Sequence, residues 1–325
     1  RGLRIERRAA QALLVTALLS SAAHAQDYPS HPVRLISPNP AGGANDTIAR
    51  IVVNKLTEVL GQQVVIDNRG GAAGTIGSDL AAKAPPDGYT LLVGTSSTHA
   101  IAQSLYAKLP YDSVKDFTPV TKLNDATLLL VAHPSFPYNN LRELIANAKQ
   151  AGRLPFGTAG TASTQHVAGE LLKQRTGLDL VHVPYKGGGP AITDVVGGQL
   201  TLSYTAIAGG SSFVKAGKLK ALGVSSLQRS PALPDVPTFI ESGVAGFAVD
   251  SWIALFAPAG TPREIVDRLR EAVAKGVANP ETHQRLLDLG IDLVASQSAD
   301  EFAAFIKKQV EEFAILARQT GMAAK

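Results

Sequence analysis

The sequence contains no cysteine among its 325 residues. Disulfide bonds, thiol nucleophiles, iron–sulfur clusters, cysteine zinc sites and a lipid-modified N-terminal cysteine are therefore excluded. The G-x-S-x-G, G-x-x-x-x-G-K-[ST] and H-E-x-x-H signatures are also missing, and no two of the seven histidines stand at metal-ligand spacing. These absences disfavour an enzyme, and we expect neither a metal ion nor a cofactor.

A leader sequence accounts for most of the positive charge. Residues 1–8 are rich in arginine, residues 9–23 carry no charge, and Ala23-His24-Ala25 has the small-x-small form of a cleavage site. This pattern predicts a signal peptide over residues 1–25, because the apolar run is shorter than the roughly 18–20 residues of a membrane span. Removing the leader's net charge of +3 from the total of +4 leaves the remainder near +1, so we expect no nucleic-acid partner. The predicted location is the periplasm.

The rest of the chain has the composition and the pattern of a globular α/β protein. Hydrophobic residues make up 45% and charged residues 18%, which is too apolar for a disordered chain. Strand and helix patterns alternate, which predicts mostly parallel sheets covered by helices on both faces. Predicted strands cover residues 33–37, 63–66, 90–93, 127–132, 154–157, 180–183, 200–204, 219–225, 251–257 and 291–294. Predicted helices cover residues 46–60, 76–84, 140–150, 163–176, 190–197, 262–277, 281–289 and 299–320.

Two strand–proline–helix segments, residues 127–150 and 251–277, resemble each other, and about 120 residues with a strand–helix pattern of their own separate their two strands. We interpret this as one lobe inserted into another. The predicted lobe 1 comprises residues 26–130 and 252–325, and the predicted lobe 2 comprises residues 131–251. Two lobes with two crossings leave a cleft that can hinge. A chance similarity between two common units is the alternative.

The first candidate site is the loop between the first strand and the first helix, which contains Ala41, Gly42, Gly43 and Asp46. Ligands of open α/β sheets gather at the carboxyl ends of strands, and free amides at a helix N-terminus attract anions. Adjacent glycines let a ligand approach the backbone closely. For Asp46 the alternative is a role limited to capping the helix.

A second loop, in the inserted segment, repeats this arrangement. Residues 156–166 run from a strand into a helix and add the hydroxyls of Thr158, Thr161 and Ser163. Two such loops facing one cleft would hold a carboxylate between neutral dipoles without any arginine. The alternatives are helix capping by Thr161 and Ser163, and an orienting or packed role for His166.

Two more loops follow strands. Residues 70–77 are rich in glycine but do not give G-x-G-x-x-G in register, so we interpret them as a structural turn. Residues 182–190 include Tyr185 and Lys186, which are placed to reach a ligand. For Lys186 the alternative is a solvated position at the rim of the cleft.

Six motifs occur in an order that is specific in combination. They are Ala41-Gly42-Gly43-x-x-Asp46-x-x-Ala49-Arg50, PDGYTLL at 86–92, LPYD at 109–112, HVPYKG at 182–187, LPDVPT at 233–238 and APAGTP at 257–262. In these motifs the chain resembles the substrate-binding proteins of tripartite tricarboxylate transporters, the Bug or TctC type. The resemblance runs from Tyr28 to about Gly321. It is incomplete at Gly70, where the family usually has proline, and at Ala162, where glycine is common.

The resemblance implies a two-lobe periplasmic-binding-protein fold, with two mixed, mostly parallel sheets hinged by two crossing strands. It also implies that backbone amides and bridging waters hold a carboxylate at the two strand–helix loops, while the second lobe reads the rest of the ligand. The ligand-binding residues carried over in this way are Ala41, Gly42, Gly43, Asp46, Ser96, Ser97, Thr98, Thr158, Ala159, Gly160, Ser163, His166, Tyr185, Lys186, Asp194, Tyr204 and Thr205.

We therefore expect a monomeric solute-binding protein that captures a small organic carboxylate and performs no chemistry. Its expected partners are the membrane permease subunits of a tripartite transporter. One alternative is a ligand-sensing adaptor for a membrane receptor. Another is a secreted hydrolase or lyase that uses His166.

Overall fold

The computed structural model describes residues 28–42, 44–247, 249, 251–288, 291 and 296–322. The predicted leader, Gly43 and residues 292–294 of the last predicted strand lie outside the described residues. The strands are β1 (Val33–Ser37), β2 (Val64–Asn68), β3 (Thr90–Thr95), β4 (Phe117–Ala126), β5 (Leu128–Ala132), β6 (Leu154–Thr158), β7 (Leu180–Pro184), β8 (Leu202–Ala206), β9 (Lys220–Val224) and β10 (Ser251–Pro258).

The helices are α1 (Ala44–Leu60), α2 (Thr75–Ala82), α3 (Ala102–Leu105), α4 (Leu141–Ala146), α5 (Ala148–Ala151), α6 (Thr164–Thr176), α7 (Gly188–Val196), α8 (Ile207–Lys215), α9 (Arg263–Val277), α10 (Pro280–Asp288) and α11 (Ala299–Gln319). A 3₁₀ turn (Ala72–Gly74) precedes α2, and a π-helical turn (Ser97–Ile101) precedes α3. In the described part of the chain, no helix is both long enough and apolar enough to cross a membrane.

The described strands form two five-stranded sheets, ordered β2-β1-β3-β10-β4 and β7-β6-β8-β5-β9. In each sheet one strand runs against the others: β10 is antiparallel to β3 and β4, and β5 is antiparallel to β8 and β9. Strand β1 pairs in parallel with β2 and β3. Strand β6 likewise pairs in parallel with β7 and β8. The prediction of two mixed, mostly parallel sheets with flanking helices is confirmed.

The chain passes between the sheets twice, at neighbouring positions. Strand β4 ends at Ala126 in the first sheet, and β5 begins at Leu128 in the second. The chain returns at Ser251, the first residue of β10, which pairs with Ala126. Both passages therefore lie side by side at the base of a cleft between the sheets. The lobe boundaries given above, and a hinge motion at these passages, stay predictions.

Amphipathic helices cover the sheets because their apolar residues recur every three or four positions. On the first sheet, α1 buries Ile48, Val52 and Leu56 in the same cluster as Leu269 and Val273 of α9. Full burial of each such aliphatic side chain contributes about 1.5–3 kcal/mol. These contacts fix the start of α1 against the carboxyl end of β1, where the first candidate loop lies.

The C-terminal helix α11 lies against both halves of the molecule. The rings of Phe302 and Phe305 contact Trp252 of β10, at centroid distances of 6.3 and 5.8 Å. At its other end, the backbone carbonyl of Gln319 accepts a 2.8 Å hydrogen bond from Gln174 of α6. The predicted lobe 1 includes this helix, but the assignment does not account for its contact with α6, which packs on the second sheet.

Candidate functional site

A cleft between the two sheets contains two adjoining cavities of about 330 and 460 Å³. We call the smaller one cavity 1 and the larger one cavity 2. Cavity 1 extends toward the glycine-rich turn before α2 and the loop after β7. Cavity 2 extends toward the first turns of α7 and α8. The residues that line both cavities are Asn39, Pro40, Asn45, Ala159, Gln165, Gly187 and Ala206.

Four helices begin at this cleft. Asn45 in the first turn of α1 and Gln165 in the first turn of α6 line both cavities, and Gly188 and Ala206 mark the starts of α7 and α8. The N-cap residues of α7 and α8, Gly187 and Ala206, have no polar side-chain atom that could cap the helix. Because the first amides of a helix lack internal acceptors and carry the positive end of its dipole, this arrangement favours an anion.

The cleft wall is nearly free of formal charge. Among the described residues that line the two cavities, Lys186 is the only one with a charged side chain, and it is solvent-exposed. It takes part in no ion pair within the described part of the chain. The site can therefore bind an anion mainly through amides and hydroxyls, with one cation at the edge of cavity 1.

Asp46 is buried and does not line the cleft; its carboxylate forms hydrogen bonds that stabilise the loop. Its carboxylate accepts hydrogen bonds from the Gly42 amide at 2.9 Å, the Asn68 side chain at 2.9 Å and the Arg50 guanidinium at 2.8 Å. Burial would raise the pKa of Asp46, but these three hydrogen bonds outweigh it and lower that pKa below its ordinary value. The Gly42 amide is consequently already engaged.

Hydroxyl groups join the two halves of the molecule at the base of the cleft. The Ser96 hydroxyl lies 2.8 Å from that of Thr164 on α6 and 2.9 Å from that of Ser251 on β10. Ser97 Oγ lies 3.2 Å from Thr164 Oγ1 and accepts a 3.2 Å hydrogen bond from the Thr164 amide. We call Ser96, Ser97, Thr164 and Ser251 the hydroxyl seam. Of the four, Ser97 and Ser251 also line cavity 1.

Thr98 and His99 lie behind the seam. The Thr98 hydroxyl accepts a 2.9 Å hydrogen bond from the Thr95 amide and lies 2.8 Å from Nδ1 of His99. His99 is fully buried and stacks on Phe256 at a centroid distance of 3.9 Å. These contacts make Thr98 part of the support of the cleft, not part of its wall.

The loop of residues 158–163 forms the wall that the second sheet contributes. Its residues Ala159, Gly160, Thr161 and Ser163 line cavity 1. Ser163 is the N-cap of α6, with its hydroxyl accepting a 3.2 Å hydrogen bond from the His166 amide. Ser163 thus both caps the helix and lines the cleft, so helix capping and a position at the binding site do not exclude each other.

The other predicted side chains of the second lobe divide between wall and interior. Tyr185 lines cavity 1 and donates a 2.6 Å hydrogen bond to Asp194. Burial and this bond raise the pKa of Tyr185 to about 12. Thr205 lines cavity 2, whereas Tyr204 is fully buried in the core of the second sheet. Burial also raises the pKa of Tyr204 well above its ordinary value.

The structure brings the predicted residues together only in part. Those on the cavity walls are Ala41, Gly42, Ser97, Ala159, Gly160, Ser163, Tyr185, Lys186 and Thr205. Those whose side chains support the walls from behind are Asp46, Ser96, Thr98, Thr158, His166, Asp194 and Tyr204. Gly43 lies outside the described residues.

Sequence reasoning missed several wall residues. They are Asn39, Asn45, Tyr106, Gln165, Thr193, Phe213 and Ser251. Asn45 and Gln165 stand next to residues that were selected, Asp46 and His166. The available signal was the side-chain amide in the first turn of each of the two helices.

The glycine-rich segment proves to be both a turn and a wall. Gly71, Ala72, Ala73 and Gly74 all line cavity 1 and all have positive φ, at 123°, 45°, 53° and 94°. Such a run of left-handed residues needs glycine or strained alanine, and it turns the backbone toward the cleft. Among the described residues, no three histidine, aspartate or glutamate side chains converge to hold a metal ion.

Comparison with known proteins identifies the family. The profile of the TctC family, described as the tripartite tricarboxylate transporter family receptor, matches residues 48–322. The solved structure of periplasmic binding protein BugD is 35% identical, with a TM-score of 0.87 over 92% of this chain and 100% of that one.

Two solved structures from Rhodopseudomonas palustris are also similar and contain ligands. Rpa4515 with adipate is 34% identical, with a TM-score of 0.88 over 91% of this chain and 99% of that one. MatC with bound malate is 34% identical, with a TM-score of 0.84 over 89% of this chain and 99% of that one. The family predicted from the motifs is thereby confirmed, and the chain belongs to the TctC family of tripartite tricarboxylate transporter receptors.

Proposed function

We propose that the chain is a periplasmic receptor that binds a small organic carboxylate in the cleft and delivers it to the membrane permease of a tripartite transporter. The observation that carries this proposal is the meeting of the first turns of α1 and α6 across the cleft, with Asn45 and Gln165 lining both cavities. Amides from opposite walls can neutralise a carboxylate without a full ionic bond.

The similar structures support a carboxylate as the ligand class. Adipate and malate are bound by two relatives that superpose on nearly the whole of this chain. Both molecules are small carboxylates, and the neutral wall seen here suits the same chemistry. The residues proposed to contact the ligand are those on the walls, from Ala41 to Thr205 as given above, together with Asn45 and Gln165.

Closure of the cleft follows from where the contacts lie. A ligand held only by the α1 side leaves the amides of α6 and the hydroxyls of Ser163 and Thr205 unused. Bringing the second sheet over the ligand adds those contacts, so the ligand shifts the protein toward the closed arrangement by its differential affinity. The monomer and the permease partner belong to the same proposal, since the closed receptor would present both lobes to the membrane subunits.

We infer that the cleft performs no chemistry. His166, the residue that a hydrolase or lyase would use, does not line either cavity and is engaged with the backbone of Ala162. A turnover assay with recovered ligand checks this inference. The conversion of any bound acid into another compound would contradict it.

The test is a thermal-unfolding screen of residues 26–325 against mono-, di- and tricarboxylates, amino acids and aromatic acids. A ligand present at about 100 times its dissociation constant should stabilise the protein by about 2.7 kcal/mol. Titration calorimetry and the fluorescence of Trp252, which is buried beside the crossing, give independent readouts. If no acid raises the unfolding temperature, the carboxylate-receptor proposal is wrong.

A further inference from the structure

Two stacked histidines lie directly behind the loop of residues 158–163. The imidazoles of His166 on α6 and His182 on β7 stack at a centroid distance of 3.7 Å and an interplanar angle of 16°. Neither ring lines a cavity, although the loop in front of them does. The rings are therefore placed to act on the ligand only through the backbone of this loop.

Each ring contacts a different point of the loop. Nε2 of His182 lies 2.7 Å from the Thr158 hydroxyl, which in turn accepts a 3.1 Å hydrogen bond from the Gly160 amide. Nδ1 of His166 accepts a 3.3 Å hydrogen bond from the Ala162 amide. The two contacts lie on either side of Thr161, a wall residue.

The contact with Ala162 matters because this residue is strained. Its φ is 64°, in the left-handed region that costs a residue with a Cβ about 1–2 kcal/mol. Glycine would adopt this conformation freely, whereas alanine carries a Cβ that opposes it. The hydrogen bond from the Ala162 amide to His166 helps to hold the strained residue in this conformation.

We infer that His166 and His182 are positioning residues of the binding site: together they hold the loop of residues 158–163 in the conformation that lines the cleft. The inference rests on the proposed function for its effect on ligand binding. Its effect on the loop does not depend on the identity of the ligand.

The chemistry of the pair requires neutral rings. His166 can accept at Nδ1 only while that nitrogen carries no proton. Burial and the neighbouring His182 lower the pKa of His166 to about 4, and burial lowers the pKa of His182 to about 4. The only carboxylate paired with either ring among the described residues is Glu170, 4.0 Å from Nε2 of His166, and it acts in the opposite direction.

The first experiment measures hydrogen–deuterium exchange of residues 158–163 in the unliganded protein at neutral pH. We expect His166→Phe and His182→Phe to raise exchange about tenfold, because each removes a buried hydrogen bond while keeping a ring. His182→Gln, which keeps a side-chain N–H donor, should restore most of the protection. The matched control is His133→Phe, at a half-buried imidazole after β5 whose hydrogen bonds are with Ser135 of its own turn. Unchanged exchange in both ring variants would overturn the inference.

The second experiment follows the Ala162 amide by NMR as the pH is lowered. Its resonance should shift with the protonation of His166, at a midpoint near pH 4, and the shift should be absent in His166→Phe. A residue that only fills space would not produce this titration. An Ala162 amide that stays constant while His166 titrates would contradict the assignment.

The third experiment measures the affinity for malate by calorimetry. Both phenylalanine variants should weaken malate binding about tenfold at neutral pH, with the control variant unchanged. If amide exchange of the loop becomes faster while the affinity for malate stays unchanged, ligand binding does not depend on the loop conformation, and the inference is overturned. If the wild-type protein does not bind malate, malate is not its ligand, and the exchange and titration experiments still decide the role of the rings.

Discussion

Single side chains decide which amides at the cleft remain available to a ligand. Asp46 takes up the Gly42 amide, and the hydroxyl of Thr158 takes up the Gly160 amide. Asp46 stands in a motif that resembles the family and Thr158 in the second candidate loop, and both act from behind the wall. A polar residue in a binding motif can therefore serve the ligand by fixing the backbone that contacts it.

The wall residues that sequence reasoning missed show its limit at this scale. The motif predicted that α1 and α6 begin at the cleft, and both helices do. It did not predict that Asn45 and Gln165 face the cavity while Asp46 and His166 face away. Which side chain of a first turn points outward depends on how the helix packs on its sheet, and this packing is a tertiary property.

The strained turn before α2 gives a prediction about stability. Ala72 is exposed and has a φ of 45°. Ala72→Gly should raise the free energy of unfolding by about 0.5–1 kcal/mol, because the strain of a Cβ in the left-handed region is removed. Urea unfolding followed by tryptophan fluorescence measures it. The matched control is Ala303→Gly, at an exposed position inside α11, which should lower stability by about 1 kcal/mol. A loss of stability at position 72 would contradict the strain.

Buried His99 makes stability depend on pH. Burial lowers its pKa from 6.5 to about 3, so the unfolded chain binds a proton that the folded protein excludes. Stability is therefore fully present above pH 6.5 and is lost as the pH falls toward 3. His99→Leu should reduce the slope of unfolding free energy in this range by about 1.4 kcal/mol per pH unit. Denaturant unfolding at a series of pH values measures the slope, and an unchanged slope would disprove the role of His99.

At the scale of elements, cap residues explain where helices begin. Ser298 accepts a 3.1 Å hydrogen bond from the Glu301 amide, and Glu301 accepts a 3.0 Å bond from the Gln297 amide. This pair resembles a capping box at the start of α11, except that Glu301 accepts from the amide one residue before the N-cap. Because α11 contacts both β10 and α6, its first turn matters for the whole molecule.

We predict that Ser298→Ala lowers the free energy of unfolding by about 1 kcal/mol, since one orphan amide of α11 loses its acceptor. Ser298→Thr keeps a hydroxyl acceptor and serves as the control, with a much smaller loss. Thermal or urea unfolding of both variants measures the difference. Equal losses in the two variants would show that the cap hydrogen bond does not contribute.

The elements that the sequence did not reveal have physical reasons. Strand β4 lies at an edge of the first sheet, contains Pro119, and carries polar residues on its exposed face. An edge strand tolerates proline and needs no continuous apolar run, so its pattern is weak. Helix α8 has two glycines and two serines, and a Cβ at Gly210 would lie only 2.8 Å from Thr205 Cγ2. Close packing requires glycine there at the expense of helix propensity.

One predicted helix is divided for a local reason. The pattern over residues 140–150 predicts a single helix, but the structure has α4 and α5, separated at Asn147. The Asn147 side chain donates a 2.8 Å hydrogen bond to the Glu143 carbonyl. Asparagine competes in this way with the helical hydrogen bonds of the backbone. Strong apolar periodicity, as in α1, α9 and α11, was sufficient to predict helices without such interruptions.

At the scale of the whole molecule, the hydroxyl seam joins the two halves at the base of the cleft. Thr164 contacts both Ser96 and Ser97 across the base of the cleft and is almost fully buried. Pro40 and Gly187 approach each other near the opposite end, where a Cβ on Gly187 would lie 3.2 Å from Pro40. The two halves therefore contact each other directly at two places besides any ligand.

We predict that Thr164→Val weakens carboxylate binding by about tenfold, because the isosteric change removes the hydroxyl contacts of Thr164 with Ser96 and Ser97 between the two halves. Small-angle X-ray scattering should show a larger radius of gyration for the unliganded variant. The control is Thr176→Val at the other end of α6, which removes hydrogen bonds with Leu172 and Leu178 that are local to that end of the helix. Equal behaviour of the two variants would mean that the seam does not favour closure.

The position of β10 has a consequence for the order in which the molecule forms. The second sheet is built from one continuous stretch, residues 128–224, whereas in the first sheet β3 and β4 meet only through β10. A nascent chain must extend past residue 258 before the first sheet can pair all its strands. The second sheet can therefore form while β3 and β4 of the first sheet still lack their partner β10. Late, long-range closure of this kind slows folding, so the last step in forming the molecule is the insertion of β10 between β3 and β4.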